Sequence, residues 1–498
     1  MTSMDCLIAP DNVVGLIDMF VEQLNLTELG FTKTQIKKEG CPPYHAKDLL
    51  KLYYYGYINR IRSSRKLAAE CTRNVEVWWL IHQLTPAYHT IANFRKDNAA
   101  AFKKVFGLFV SFLKGEDMLA AEVIAVDGTK IRAQNSKRRN FNETGIAKHI
   151  QYIDNKTQEY IKQLDECDAL EDKEESALKK QVVAEKIKTL AQRKDKYEQL
   201  DKALANSGDK QVSLTDAESR SMRIKDDLTT VCYNVQTAAD SKYSLIVEFD
   251  TINEGDQGQL SVMGIKTKEA LEAEEIILLA DKGYHAGKQL QACEDKNITT
   301  IVAYPDRSGR AKQIDPMYQA DKFSYDATKD CYTCPQGAGL TTTGTWHEKK
   351  RSGREGYLMK KYSTPQCGSC PANHLCTSSK QGRVIERTFY QAVIDANNKR
   401  VDAQWGLYKK RQEIIEHPYG TIKRSWGYSY TLLKSIKKVN GEMAIVFTMY
   451  NFRRAITLLG VTEMLNKLKK WKPASFLQHT GLLRALYSIR VIKNTRAA

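Results

Sequence analysis

No apolar run in this sequence approaches the ~18 residues that a membrane span needs, and the opening MTSMDCLIAPDNVVG has no basic stretch leading into an apolar core. These absences predict a chain without a membrane partner that works in the cytoplasm. Acid is scarce in one region: from Lys399 to Ala498 there are five acidic residues against twenty basic ones, within a chain of net charge +17. Solubility does not require charge to be segregated, so a field of one sign gathered in one region is the footprint of a polyanionic partner, nucleic acid before acidic membrane. Glycine and proline are missing from residues 146–207, which excludes a loop-rich segment there. Cysteine is present but unevenly used. Of eleven, five crowd between Cys331 and Cys376, while Cys6, Cys41, Cys71, Cys167, Cys232 and Cys293 stand singly and read as small buried hydrophobes. That pattern suggests a metal in a reducing compartment, not a disulfide framework.

At 498 residues and 42% hydrophobic content, the chain has material for two or three cores. Residues 1–118 read as an all-α domain. Its stretch RSSRKLAAECTRNVEVWWLIHQLTPAYHTIANFRKDN offers Ser63 or Ser64 as one helix cap and Thr85 with Pro86 as the start of another helix. With Arg60, Arg62, Arg65, Lys66, Arg73, Arg95 and Lys96, this allows a helix-turn-helix reader of a DNA groove or a plain helical bundle. Residues 149–210 keep apolar spacing of helical period around the acidic interruption ALEDKEES, as expected for an antiparallel hairpin inserted for structural reasons.

Around that insertion, residues 119–148 and 211–314 have strand character. An apolar strand ends on Asp127. LTTVCYNVQTA and YSLIVEFDTI are joined by a short polar turn, and a helix then leads into IILLA, a second helix, and ITTIVAY. Strands that begin to alternate with helices imply an α/β mixed sheet covered by helices. A Cys-rich insertion (315–392) and a region holding a further helix and the basic tail (393–498) complete the predicted organisation.

Asp127 and Asp281 each close an apolar strand, and a glycine follows each closely. The carboxyl ends of strands are where ligands of α/β sheets gather. Two carboxylates brought together there raise a pKa unless a cation neutralises them, and Mg²⁺ suits a few carboxylate oxygens plus water or phosphate. In LYKKRQEIIEHPYGTIKRSWG, helical spacing would set Tyr408, Glu416 and Lys423 on one face with Arg411 about a turn from Tyr408. That face offers a third carboxylate bordered by cations and a phenol, a composition suited to gripping phosphate beside a metal.

Together AVDGTKIRAQNSK, YNVQTAAD, ADKGYHAG and YKKRQEIIEHPYGTIK resemble the DDE transposases of bacterial insertion sequences, in the group with an N-terminal helical domain and a cysteine-bearing insertion. LLKLYYYGYINRIRSSRKLAAEC and TIANFRKDN extend the resemblance over most of the chain. It implies an RNase H-like catalytic core in which Asp127, Asp281 and Glu416 form the triad and hold two Mg²⁺ (or Mn²⁺) ions. Tyr408, Arg411, Glu416 and Lys423 match the superfamily's tyrosine, arginine, glutamate and lysine signature, with Lys130 as a further phosphate contact. Here His417 and Pro418 follow the glutamate where proline is expected at once. A kink near Glu416 would bring Glu413 into contention. The resemblance also implies double-stranded DNA partners, the ends of the element and a target, and a homodimer on DNA, placed at the nucleoid. The alternatives are a catalytically inactive zinc-bearing DNA-binding derivative and a simple metal-dependent nuclease.

The cysteines form Cys331-x-x-Cys334 and Cys367-x-x-Cys370, with Cys376 beyond, and two such pairs are a strong signal for a closed tetrahedral Zn²⁺ site. Five thiols compete for four places. The resembling family has its cysteines at Cys334, Cys367, Cys370 and Cys376, which leaves Cys331 as the substitute.

Overall fold

The computed structural model describes residues 4–34, 43–168, 173–225, 228–305, 314–351 and 354–473. Cys41 and the basic tail beyond Pro473 lie outside the described residues.

The N-terminal segment is helical, as predicted: α1 (Val13–Glu22), α2 (Ala46–Ile58), α3 (Ser64–Arg73), α4 (Val75–Leu80), α5 (Tyr88–Asp97) and α6 (Ala99–Gly115). Caps decide several starts. The Asn12 side chain accepts from Val14 N at 2.9 Å, and Asn74 accepts from the amides of Glu76 and Val77. Ser63, not Ser64, caps α3. Thr85 and Pro86 do not open a helix as expected, because α5 begins two residues later behind Ala87 with no side-chain cap. Two arginines expected to face DNA are interior instead. Arg62 lies 3.6 Å from the buried Glu442 and donates to Tyr430 O, while Arg95 donates to Tyr57 OH and Arg62 O. A guanidinium held by buried carboxylate, phenol and carbonyl oxygens cannot also reach a groove. Cys6 also departs from expectation, since it is exposed.

The central sheet has β1 (Val123–Arg132), β2 (Arg220–Lys225), β3 (Leu228–Asp240), β4 (Ile246–Ile252), β5 (Ile276–Ala280) and β6 (Ile298–Val302). β3 pairs antiparallel with β1 on one side and with β2 and β4 on the other, while β5 and β6 run parallel to β1. This is the predicted mixed sheet, and β2 is a strand the sequence did not announce. Between β1 and β2 the hairpin α7 (Glu143–Asp168) and α8 (Lys173–Ser207) is anchored at its base by Phe141, Ile146 and Leu204. The helices α9 (Leu260–Leu271) and α10 (Gly287–Glu294) connect the parallel strands.

Both faces of the sheet are covered. On one face Ile124, Val126, Val235 and Leu278 join a large core that continues through α1, α2 and α6 into α13 (Ile436–Leu459) and α14 (Val461–Lys470). There Phe249 meets Phe106 and Phe447 edge-on. On the other face Ala125, Ala239, Leu279 and Ile301 pack against α11 (Gln391–Ala403) and α12 (Trp405–Tyr419) through Val401, Ile414 and Ile415. The fit of α13 on α6 depends on Gly441, where an added Cβ would fall 2.4 Å from the Ala99 Cα. Backbone cannot yield as a flexible side-chain tip can. Gly441→Ala is therefore expected to destabilise the fold by ~1–3 kcal/mol or more, read as a lower midpoint in urea unfolding.

The cysteine-bearing segment forms two small antiparallel sheets, β7 (Ser324–Asp326), β8 (Cys331–Thr333) and β9 (Gly339–Leu340), then β10 (His347–Arg351), β11 (Arg354–Tyr362) and β12 (Ile385–Thr388). Phe323, Tyr332, Leu340, Tyr362 and Ile385 give it a core of its own.

Candidate active site

Asp127 lies inside β1, and Asp281 directly follows β5. The parallel ladder between these strands pairs Val123 with Ile277, Ile124 with Leu278 and Ala125 with Leu279. Carried on by two residues, that register sets Asp127 level with Asp281, on the face of Ala125 and Leu279 under α12. Burial and the neighbouring Asp281 carboxylate push the Asp127 carboxyl up to about 6. The Arg411 guanidinium, 3.6 Å away, and the Gly128 amide, donating at 2.7 Å, pull in the opposite direction and only partly offset the rise. Asp281 turns one oxygen back to accept from Gly283 N at 2.8 Å and so caps the short turn that follows.

The helix α12 continues through Pro418 and passes at Gly420–Ser425 into a π-helical turn. Proline lacks the amide that would continue the ladder, and the wider turn absorbs the disruption. The change of period acts only on the residues beyond Tyr419, Lys423 among them. Arg411 faces Asp127, and the Tyr419 hydroxyl donates to the Asp127 carbonyl at 2.8 Å and contacts Thr237. Lys423 donates to Thr129 Oγ1 at 3.0 Å and Lys130 O at 3.2 Å, and its burial lowers the amine's pKa. Tyr408 stacks on Trp405 with ring centroids 5.1 Å apart, and the Arg411 guanidinium lies 5.9 Å from its ring.

Glu416 does not share this face. It is exposed and accepts from Gln412 at 2.7 Å, and Glu413 is also exposed. Among the described residues, no group of three His, Cys, Asp or Glu side chains gathers closely enough to hold a metal ion. Lys130 points to the reverse face of β1, where both oxygens of Asp256 receive its ammonium at 2.8 and 3.0 Å. Sequence reasoning passed over Asp256 and Tyr419. Asn234 and Gln236, two amides spaced by two and therefore on one face of β3, were the available sign that a polar group faces them.

Cys334, Cys367, Cys370 and Cys376 line one small cavity with Phe323 and Leu340, and Cys331 does not reach it. Burial raises the Cys376 thiol, and Cys367, Cys334 and Cys370 add to the rise. Gly382, at φ +89°, lies so close that a Cβ there would meet the Cys367 Cβ at 2.5 Å.

Two family models match this chain, a transposase domain over residues 2–97 and a transposase DDE domain over residues 333–456. These matches indicate an insertion-sequence DDE transposase. It is thus an enzyme of DNA phosphoryl transfer, of a family that typically uses a divalent metal. The second match takes in Tyr408, Arg411, Glu416, Lys423 and four of the five clustered cysteines, whereas Asp127 and Asp281 fall between the two matched stretches. No curated protein and no solved structure matches the transposase. None of its described helices is long and apolar enough to cross a membrane.

Proposed function

We propose that this transposase cleaves DNA at the ends of its element and joins the released 3′ ends to target DNA, at a site formed by Asp127, Asp281 and Glu416. The observation that carries the reading is that Asp127 and Asp281, each two residues past the last pair of the β1–β5 ladder, are close enough for the Asp281 charge to raise the Asp127 carboxyl, beneath a helix whose Arg411 stands 3.6 Å from Asp127. The strand order β4-β3-β1-β5-β6, with the first three antiparallel and the rest parallel, supports an RNase H-like core.

The donor set fits Mg²⁺ or Mn²⁺: two hard oxygen ligands, of which Asp127 is raised by burial and then by repulsion from Asp281, with one guanidinium beside them. When bound, the metal offsets that repulsion, lowers the pKa of water and draws charge from the phosphate oxygens. Asp127 and Asp281 would hold it on the sheet side. Glu416 would complete the set from α12, exchanging its bond to Gln412 for the site once DNA is engaged. Arg411 and Tyr408 would grip phosphate, and Lys423 would hold the strand segment just beyond Asp127 in place for the substrate. Water and a DNA 3′-hydroxyl attack phosphorus by the same in-line displacement, so one site serves cleavage and joining.

The N-terminal domain (residues 1–118) would bind end DNA as a dimer through the exposed faces of α3 and α5, with Arg65 and Lys66 on one and Lys96 on the other. A joining assay on labelled ends with supercoiled target tests this function. Covalent end–target joints, with affinity falling steeply as salt rises, are expected. Cleavage that never yields a joint would reduce the activity to that of a nuclease, and neither product would indicate an inactive derivative.

The shared cavity also supports a structural Zn²⁺ held by Cys334, Cys367, Cys370 and Cys376. Elemental analysis is expected to find one zinc per chain, lost in Cys367→Ser and kept in Cys331→Ser. Loss of zinc in Cys331→Ser would overturn this choice of ligands.

A further inference from the structure

The backbone ladder between β1 and β5 ends at Ala125 and Leu279, two residues short of the carboxylates. Beyond it no strand pairing sets the position of Asp127 relative to Asp281, although two like charges there repel each other. On the reverse face of the sheet a chain of polar side chains begins where the ladder stops. Register places Gly128 of β1 opposite Gln236 of β3, and Lys130 opposite Asn234. Asp256, from the loop between β4 and α9, reaches over this pair of strands. Its Oδ1 accepts from Gln236 Nε2 at 2.8 Å, Asn234 Nδ2 at 2.8 Å and Lys130 Nζ at 3.0 Å. From the other side the Tyr284 hydroxyl donates to Gln236 Oε1 at 2.5 Å. Tyr284 belongs to the turn that Asp281 caps.

The path therefore runs from the strand of Asp127, through Lys130, Asp256 and Gln236, to the turn of Asp281. Residue 128 must be glycine for it to exist, since a Cβ there would lie 2.2 Å from Asp256 Oδ1 and 2.3 Å from Gln236 Nε2. Asn234 and Gln236 are fully buried and Tyr284 nearly so. Burying amides and partly burying a charged pair costs stability compared with apolar packing, which the same face of β1 uses at Ile124 and Val126. Stability alone does not explain the network.

We propose that Asp256, Gln236 and Tyr284 form a cross-brace that fixes the spacing of the Asp127 and Asp281 carboxylates, and thereby sets how tightly and how selectively the site takes a divalent cation. They are positioning residues, and the inference rests on the carboxylate assignment above. Mg²⁺ demands near-ideal octahedral geometry, so it should suffer more from a loosened pair than Mn²⁺, which tolerates a less regular shell.

Tyr284→Phe removes one hydroxyl and keeps the ring, and Gln236→Leu is the second variant. In each, the Mg²⁺ concentration for half-maximal end cleavage is expected to rise at least tenfold, with cleavage returning close to wild type in saturating Mn²⁺. Mn²⁺ affinity of the DNA-free protein, read by electron paramagnetic resonance, should weaken in parallel, while melting temperature and DNA binding in EDTA change little. Unchanged Mn²⁺ affinity and Mg²⁺ dependence in both folded variants would overturn the brace, and so would a loss that no metal concentration restores. Asp127→Asn in the same titration should lose Mn²⁺ binding. If it binds like wild type, the metal site itself is wrong and the brace falls with it. If it loses binding while Tyr284→Phe and Gln236→Leu are unaffected, the brace alone is refuted.

Discussion

Asp281→Asn is expected to lower end cleavage at least ~10³-fold, a loss of about 4 kcal/mol of transition-state stabilisation, with DNA binding nearly unchanged. The substitution keeps the shape of the side chain, and the amide oxygen can still accept from Gly283 N, so the turn after β5 should persist. What disappears is a negative charge that acts on Asp127. With one carboxylate fewer, the site retains the Arg411 guanidinium and loses much of its attraction for a divalent cation, so the effect should fall on chemistry and not on substrate affinity. Single-turnover cleavage beside an electrophoretic binding assay separates the two. Wild-type cleavage in Asp281→Asn would refute the assignment. Run in parallel, Glu416→Gln should match Asp281→Asn, and Glu413→Gln should cleave like wild type. The reverse order would make Glu413 the residue that approaches the pair.

Much of the scaffold behind this prediction was legible. The series of three strands, a helix, a strand, a helix and a strand reads directly from residues 123–304 because each strand is β-branched or aromatic and each helix has apolar spacing of its own. That Asp281 would stand at a strand's carboxyl end also followed, since a charge that closes an apolar run emerges where the core stops, but Asp127 does not end its strand: β1 runs on to Arg132 because β3 continues to pair with it. The spatial relation of Glu416 to them was not legible. Constant helical period set Tyr408, Glu416 and Lys423 on one face. Arg411 faces Asp127, and five further steps of the regular helix turn Glu416 well away from that side, while the π turn after Pro418 changes the rotation only beyond Tyr419, where Lys423 reaches β1. Arg62 and Arg95 were misread for a related reason. Their charge was visible, but their partners Glu442 and Tyr57 come from other segments, and no local pattern reports a contact made across such separations. Asp256 escaped notice in the same way, since its partners Asn234, Gln236 and Lys130 stand on other strands.

In metal-free buffer at pH 7.5, Asp127→Asn is expected to stabilise the protein while it removes activity. The Asp127 carboxyl is raised from 3.8 to about 6, by burial first and Asp281 second, so the folded state holds its proton more tightly than the unfolded chain does. The sign follows from linkage: the favourable contribution is complete below the unfolded value of 3.8, declines as pH rises, and is gone above the folded value of about 6. At pH 7.5 the wild-type fold therefore carries an ionised carboxylate in a site that disfavours it. The shift alone corresponds to about 3 kcal/mol, and because 28% of the side chain remains accessible we take ~2 kcal/mol as the working value. Asparagine bears no charge, so the variant should unfold at higher denaturant than wild type at pH 7.5, and the gap should close as pH falls through 6 towards 4. Saturating Mg²⁺ should stabilise wild type and not Asp127→Asn, because only the carboxylate site binds it in the folded state. A variant no more stable than wild type at pH 7.5, or a gap that persists at pH 4, would remove the case for an electrostatically strained carboxylate pair. With the predicted pattern, the stability missing from the metal-free fold and the metal requirement of the enzyme share one origin, an ionised Asp127 carboxylate held in a buried site beside the Asp281 carboxylate.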